Sequence, residues 1–171
     1  MNILKSIFCF CFIALSALAC SKEKVIFEKN YDLKNGQWAY GDTLGFTFSI
    51  ADTMALYDIV MVIKHTHQYA TQNLYMNIST KFPTGERPKQ LLNIDLADNT
   101  GKWEGNCNST ECTFEIPIQP NAYFNTAGQY TITLEQYMRE EYLKDIKSIA
   151  LKLVDKNQKR DFEVEKQIKK K

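Results

Sequence analysis

The sequence predicts an all-β fold, an antiparallel, jelly-roll-like β-sandwich of about eight or nine short strands with one short helix. Short segments alternate apolar and polar residues, which is the pattern of a strand with one buried face. Turn residues such as Asn35-Gly36 separate these segments. Only one stretch, 140–147, has apolar residues at helical spacing.

The first half of the folded region contains four predicted strands. The first begins at residues 25–27, and the Asn35-Gly36 turn follows it. Residues 43–50 alternate cleanly and predict a strand with one buried face. Residues 56–65 are β-branched and apolar on both sides, which predicts a central strand. Residues 74–78 alternate again.

The second half continues the same pattern. Residues 92–96 predict a strand that ends at the turn 98–101, and Trp103 begins the return. Residues 114–118 alternate, but Pro117 cannot donate a ladder hydrogen bond, so this strand is expected at a sheet edge. The sequence contains no internal repeat.

The last elements are a strand, a helix and a final strand. Residues 130–134 alternate. Residues 140–147 predict the short helix, because three apolar residues there recur at i, i+1 and i+4. Residues 149–153 predict the final strand. The 155–171 segment has few apolar residues, so we expect a charged, flexible tail.

The first twenty residues have the features of a bacterial lipoprotein signal. Lys5 precedes an apolar run at 7–19, which is too short to span a bilayer. Small residues then lead to Cys20, whose thiol would carry a lipid such as palmitate. The alternative is ordinary cleavage after Ala19 with a free Cys20. The predicted organisation is a signal peptide, a lipidated cysteine with a tether, a β-sandwich and a tail, at 1–19, 20–24, 25–154 and 155–171.

Charge and cysteine usage narrow the class of protein. The chain has 21 basic and 20 acidic residues, and this balance argues against nucleic-acid binding. After signal removal and acylation of Cys20, the remaining cysteines are Cys107 and Cys112. An exported compartment is oxidising, so we expect a disulfide between them. Free thiols remain the alternative, and zinc would need further ligands that are not nearby.

No motif predicts catalysis, a cofactor or a small-molecule substrate. The histidines His65 and His67 would point the same way on a strand, but a metal site needs further ligands. The acidic cluster around Asp98 does not have the spacing of a calcium loop and is better explained as a turn. We therefore predict no enzyme and no metal. A small hydrolase would require a cleft holding a histidine or paired acids.

Four aromatic residues suggest one alternative function, carbohydrate binding. They lie at predicted strand ends or turns, where a sandwich could present them to sugar: Trp38, Tyr69, Tyr75 and Trp103. Packing in the core or at its rim would leave no such platform. The exposure of Trp38 and Trp103 separates the two possibilities.

An ordered series of residues resembles the gliding motility-associated lipoprotein GldH family of Bacteroidetes. The series comprises Trp38, Asp42, Phe46, Phe48, Ile50-Ala51-Asp52-Thr53, Tyr57, Tyr69, Asn73-Leu74-Tyr75, Leu96-Ala97-Asp98, Gly101, Trp103, Gly105, Phe124, Gly128-Gln129-Tyr130, Met138-Arg139, Leu143 and Ile146. The chain departs from the family in having Lys64-His65 where an Arg-Asn pair is frequent, and Asp145 where glycine is frequent. The Cys107 and Cys112 pair is not expected to be general.

The resemblance implies a lipid-anchored envelope protein that supports gliding and the linked type IX secretion apparatus. Its partners would be the membrane and other gliding or secretion lipoproteins, and the family brings no catalytic residues. Ser21 is not the aspartate that retains lipoproteins at the inner membrane, so the outer membrane is expected. The mixed charges at 22–24 favour its periplasmic leaflet over the surface. Thr43 and Thr53 lie in Asp-Thr-apolar triplets, which are similar to the O-glycosylation signal of this phylum.

Overall fold

A computed structural model describes residues 24–161, and these residues form strands and one 3-10 turn. The 3-10 turn spans Lys34–Gly36 and contains the Asn35-Gly36 pair. The strands are β1 (Lys24–Asp32), β2 (Gln37–Ala39), β3 (Thr43–Ile50), β4 (Ala55–Thr66), β5 (Asn73–Lys81), β6 (Lys89–Asp95), β7 (Asn106–Cys107), β8 (Glu111–Ala122), β9 (Gly128–Gln136), β10 (Tyr142–Lys144) and β11 (Ile146–Lys159).

The strands form two main antiparallel sheets that pack face to face. One sheet has the order β1-β11-β4-β8-β7, and the other has the order β3-β9-β5-β6. The short strands β2 and β10 pair with each other. A continuous apolar core lies between the main sheets, because alternate residues of each strand point inward. The predicted antiparallel β-sandwich is therefore confirmed.

The sequence pattern correctly located the central strand. Residues 43–50 form β3, and β4 lies in the middle of its five-stranded sheet. Six inward residues of β4 are buried, and Val60 on the other face is only 8% exposed. Pro117 of β8 lies opposite Val60 of β4. On the other side of β8, the short strand β7 pairs only with Cys112 and Thr113, so no strand of the described residues lies beside Pro117 there. Pro117 therefore occupies the kind of edge position predicted for it.

The predicted helix over 140–147 is wrong, because these residues form β10 and the start of β11. Leu143 pairs with Trp38 across the short β2–β10 sheet, and both side chains are buried. Asp145 breaks the segment with a φ of 67°, a left-handed conformation incompatible with a continuing helix. The requirement for positive φ also explains why glycine suits this position.

The final strand continues past the predicted start of the tail. β11 runs to Lys159, which pairs with Ala55 after an irregular stretch that includes Asn157 at a φ of 54°. Lys156 contacts Asp58 at 2.8 Å and holds this extension against β4. Residues 1–23 and 162–171 lie outside the described residues, so the rest of the predicted tail is not described.

The sandwich has two ends, which differ in their connections. The tether end contains the start of β1, the end of β11 and the loops 51–54, 82–88 and 123–127. The distal end contains the connections 33–42, 67–72, 96–110 and 137–145. Strands of about nine residues separate the two ends by roughly 30 Å.

Candidate functional site

The predicted lipidation site, Cys20, lies outside the described residues. Cys107 and Cys112 form a disulfide across the β7–β8 hairpin at the distal end. The Asn108 side chain supports this turn by accepting hydrogen bonds from the backbone of Thr110 and Glu111. The disulfide therefore closes a short, locally ordered hairpin.

The two threonines of the Asp-Thr-apolar triplets lie in different settings. Thr43 is exposed at the start of β3. Thr53 is half-buried in the loop before β4. In that loop, the Asp52 carboxylate accepts a hydrogen bond from the Met54 N–H at 2.8 Å and pairs with Lys159. Both triplets thus begin a strand or shape a turn.

The two histidines are not brought together. His65 is fully buried at the end of β4, where its ring lies 4.6 Å from that of Trp103. Burial lowers the pKa of His65 and thereby favours the neutral imidazole. β4 ends at Thr66, so His67 lies outside the strand, exposed, with Nε2 donating to the Asn108 carbonyl. The expectation that both would point the same way is wrong.

The acidic cluster at 95–104 forms a turn. The Asp98 carboxylate accepts hydrogen bonds from the Thr100 hydroxyl at 2.6 Å and from the Lys102 N–H at 3.1 Å. The first of these bonds is the main cause of its lowered pKa. Within residues 24–161, no group of three or more histidine, cysteine or acidic side chains is placed to hold a metal ion.

The four aromatic residues considered for sugar binding do not form an exposed platform. Trp38 is fully buried, and its indole N–H donates to the Asp42 carbonyl at 3.0 Å. Tyr69 is also buried, which raises its pKa to about 12. Trp103 and Tyr75 are half-buried. The condition that Trp38 and Trp103 lie exposed on one face is not met.

An apolar cavity of about 350 Å³ lies between the sheets near the tether end. Leu92 of β6 and Ile118 of β8 line opposite sides, and Phe82 and Phe124 line its end. Tyr123 is the only ionisable residue in the lining. The other polar residues there carry amide or hydroxyl groups. This cavity therefore offers no carboxylate, imidazole or thiol for acid–base or nucleophilic chemistry.

The distal end instead presents three exposed tyrosines. Tyr40, Tyr137 and Tyr142 are 58%, 52% and 50% exposed. Exposed charged residues lie between them in the chain. We call this group the distal tyrosine surface, which consists of Tyr40, Tyr137, Arg139, Glu140, Glu141 and Tyr142.

Buried hydrogen bonds hold the backbone of this surface. Gln136 is buried, and its Nε2 donates to the Glu140 carbonyl at 2.9 Å, while its Oε1 accepts from the Met138 N–H at 2.8 Å. The Tyr137 N–H donates to the Tyr75 carbonyl at 2.8 Å. These bonds fix the turn between β9 and β10 without using the exposed side chains.

The remaining tyrosines are held by the β2–β10 pair. Tyr142 lies opposite Ala39, and the Tyr40 N–H donates to the Glu141 carbonyl at 2.7 Å. Two shallow depressions flank this segment, one lined by Tyr40 and Tyr137 and the other by Tyr142, and Glu140 lines both. The surface therefore has two depressions on a backbone that hydrogen bonds hold in place.

Sequence reasoning missed this surface because its residues come from separate parts of the chain. The predicted helix over 140–147 placed Tyr142 in the core. A usable signal was the adjacent pair Tyr142-Leu143, because neighbouring strand residues point to opposite faces. Pairing Leu143 with Trp38 would have placed Tyr142 outside the core, whereas Tyr40, two residues from Trp38, gives no such signal.

The described part of the chain has no helix of the length and apolar character needed to cross a membrane.

Comparison with known proteins identifies the family. Residues 25–153 match the family model described as GldH lipoprotein. The chain is 25% identical over 135 residues to a protein named "Gliding motility lipoprotein GldH homolog" from Christiangramia forsetii, with 79% of this chain and 82% of the relative covered. It is 20% identical over 151 residues to "Gliding motility lipoprotein GldH" from Flavobacterium johnsoniae, with 84% and 92% covered.

A solved structure of TmCBM61 in complex with beta-1,4-galactotriose covers 78% of this chain and 83% of its own. Its sequence identity is 9% and its TM-score is 0.26, so this similarity supports no conclusion about fold or ligand. The family match, in contrast, extends from β1 to the middle of β11. The resemblance seen in the sequence is thereby confirmed, and the chain belongs to the GldH lipoprotein family.

Proposed function

We propose that this protein supports gliding motility, and the linked type IX secretion machinery, by binding envelope proteins through its distal tyrosine surface. Membership in the GldH lipoprotein family indicates a lipid-anchored protein of the cell envelope with a role in gliding motility. The finer proposal concerns how it acts. It serves as a non-enzymatic accessory component that forms protein–protein contacts.

The observation that carries this proposal is the exposure of Tyr40, Tyr137 and Tyr142 on a backbone held by buried hydrogen bonds. Tyrosine is enriched at protein interfaces, because its ring supplies apolar contact area and its hydroxyl supplies a hydrogen bond. A fixed backbone reduces the entropy lost on binding. The flanking Arg139 and Glu140 add charges that can select a partner.

The anchor places this surface in the envelope. In our proposal Cys20 is acylated in the periplasmic leaflet of the outer membrane, and the segment to Lys24 reaches at most ~14 Å. Partners must then come within about 45 Å of the same leaflet, which is the reach of the tether plus the length of the sandwich. Other gliding or secretion lipoproteins meet this requirement.

Site-specific photo-crosslinking in intact cells tests the partner surface. A photoreactive amino acid replaces Tyr40 or Tyr137, and the control position is Leu91, which is 54% exposed on β6. We expect crosslinks to gliding or secretion lipoproteins at the two tyrosine positions and not at Leu91. Crosslinks to these partners at Leu91 alone would overturn the assignment of the surface.

A functional comparison uses a double variant, Tyr40→Ser/Tyr137→Ser, with Leu91→Ser as the matched control. All three positions are exposed, so protein amount and membrane attachment should match the wild type. We expect the double variant alone to lose spreading and secretion. Normal spreading and secretion by the double variant would contradict the proposal.

We also propose O-glycosylation at Thr43 or Thr53. The hydroxyl of Thr43 is on an exposed residue, and Thr53 lies in a surface loop, so an enzyme could reach either one. Intact mass should exceed that of peptide plus lipid, and the Thr43→Ala/Thr53→Ala variant should remove the excess. A mass equal to peptide plus lipid would rule the modification out.

A further inference from the structure

We infer that the tether end is a bilayer-contact face, with Met54 and Tyr123 inserted among the lipids of the leaflet that holds the anchor. This inference rests on the proposed acylation of Cys20. It adds a defined orientation, because lipidation alone would hold the domain near the membrane without selecting which surface touches it. The occupant is the lipid bilayer itself.

The position of Lys24, the first described residue, indicates which end of the sandwich lies nearest the proposed anchor. Lys24 lies opposite Asp155 on β11, and Asp155 lies opposite Tyr57 near the start of β4. The chain therefore enters the sandwich at the tether end. The segment from Cys20 to Lys24 reaches at most ~14 Å, whereas strands of nine residues put the distal end about 30 Å farther away.

Large apolar side chains are exposed at this same end. Met54 is 38% exposed and Tyr123 is 42% exposed, on two separate loops. Val25 and Ile26, at the start of β1, are 49% and 39% exposed. Among the described residues, these are half of the exposed large apolar side chains, and three of the others belong to the distal tyrosine surface.

Arg160 joins the two loops into one surface. Its backbone N–H donates to the Met54 carbonyl at 2.8 Å, and its guanidinium lies 3.8 Å from the centre of the Tyr123 ring. Its Nη1 also donates to the Asn125 side chain at 3.0 Å. A tyrosine ring with an arginine above it suits the bilayer interface, where apolar groups enter and charged groups stay near the headgroups.

Charge contributes less than apolar contact to the proposed binding of the tether end to lipid. Lys159 pairs with Asp52, and Lys156 pairs with Asp58 at 2.8 Å. The 82–88 loop adds one acidic and one basic residue. Because most of these cations have acidic neighbours, attraction to anionic lipids is weak. The face should therefore contact zwitterionic phosphatidylcholine bilayers as well as anionic ones.

Depth-dependent fluorescence quenching tests the orientation. The full lipidated protein is placed in phosphatidylcholine nanodiscs that contain spin-labelled lipid, with one fluorophore on an introduced cysteine. Met54→Cys and Tyr123→Cys report on the tether end, Tyr40→Cys and Tyr137→Cys on the distal end, and Leu91→Cys on the side of the sandwich. The label reacts with the introduced thiol, because Cys107 and Cys112 are joined in the disulfide and Cys20 is acylated in our proposal.

We expect at least threefold stronger quenching at positions 54 and 123 than at 40, 137 and 91. Stronger quenching at 91 would mean that the sandwich lies on its side, and stronger quenching at 40 or 137 would mean that the distal end contacts lipid. Either result overturns the inference. Retention of the protein in the nanodisc without quenching at 54 and 123 would also overturn it.

Loss of the protein from the nanodisc would refute the proposed anchor instead, so the two failures are distinguishable. A second experiment labels Ala127→Cys, an exposed position in the 123–127 loop. Adding Met54→Asp/Tyr123→Asp should reduce quenching there at least twofold, while Tyr40→Asp/Tyr137→Asp should not. Circular dichroism confirms that both variants fold, and equal quenching in both would contradict the inference.

Discussion

The two ends of the sandwich expose different side chains, although buried groups hold the loops at both. At the tether end, the buried Tyr57 and Tyr130 hydroxyls donate to the Asp52 and Thr126 carbonyls, and Met54, in the same loop as Asp52, is exposed. At the distal end, buried groups such as Trp38 and Gln136 bond to the backbone of the turns around them. Buried hydrogen-bonded groups are costly to disturb, so both ends have a fixed backbone and differ in the side chains that they expose.

This difference fits the two proposed roles. A lipid surface is deformable and needs only apolar side chains at a suitable depth, which Val25, Ile26 and Met54 supply. A protein partner has a fixed shape, so a surface with a braced backbone binds it with less loss of entropy. The comparison therefore predicts that changes of exposed side chains alter attachment at the tether end and partner binding at the distal end, while changes of buried side chains alter stability.

The largest effect is expected from Cys20→Ala. Without the acylated thiol, the only remaining membrane contact would be the small apolar face, so the protein should move from the membrane to the soluble fraction. Fractionation and immunoblotting measure this change. The control is Cys107→Ser/Cys112→Ser, which also removes cysteines and should stay with the membrane. Full membrane retention of Cys20→Ala would show that another element anchors the chain.

The next largest effect is expected from Trp38→Ala at the distal end. Removing this fully buried ring should lower the free energy of unfolding by about 3–5 kcal/mol. A change of an exposed side chain, Met54→Ala at the tether end, should cost less than about 0.5 kcal/mol. Urea unfolding in detergent measures both, and similar costs would mean that burial does not set the cost of truncation at these two positions.

An intermediate effect is expected from loss of the disulfide. The bond closes a loop between residues five positions apart, and the chain-entropy model gives about 2 kcal/mol for such a loop. Cys107→Ser/Cys112→Ser should lower the urea midpoint accordingly. Reductant should lower the wild-type midpoint by the same amount and leave the variant unchanged. No shift in either case would mean that the hairpin contributes nothing to global stability.

The smallest effect is expected from acid titration of His65. Burial lowers its folded-state pKa below the ordinary 6.5, so the unfolded chain binds the proton more tightly. Stability is therefore full above pH 6.5 and falls as pH drops below it, by at most about 1.4 kcal/mol per pH unit. His65→Phe should flatten the pH dependence of the melting temperature, whereas His67→Gln should not. An unchanged slope in His65→Phe would place the titration elsewhere.

Local alternation predicted the parts of the fold that depend on local sequence. The segment at 43–50 was predicted as a one-faced strand, and β3 has these bounds. The apolar run at 56–65 was predicted as a central strand, and β4 lies in the middle of its sheet. At 43–50 the side-chain period of two reports which face is buried, whereas at 56–65 apolar residues on both faces indicate a central strand.

The parts that were missed depend on pairing between distant segments. The helical spacing at 140–147 was overruled because β10 pairs with β2, about a hundred residues earlier. Trp38 was considered as an exposed sugar-binding residue, but the same pairing buries it against Leu143. The distal tyrosine surface could not be predicted for this reason, since it forms only when β2 and β10 meet.

The antiparallel pairing of β1 with β11 has a mechanical consequence. A machine that moves a cell would pull on the distal end while the lipid holds the chain before Lys24, so the load would run parallel to β1. The hydrogen bonds of the β1–β11 ladder lie across that direction, from Lys24 to Asp32. The force would therefore load them together in shear instead of unzipping them one at a time. A domain with this geometry can transmit tension between a membrane and a moving partner without unfolding from its anchored strand.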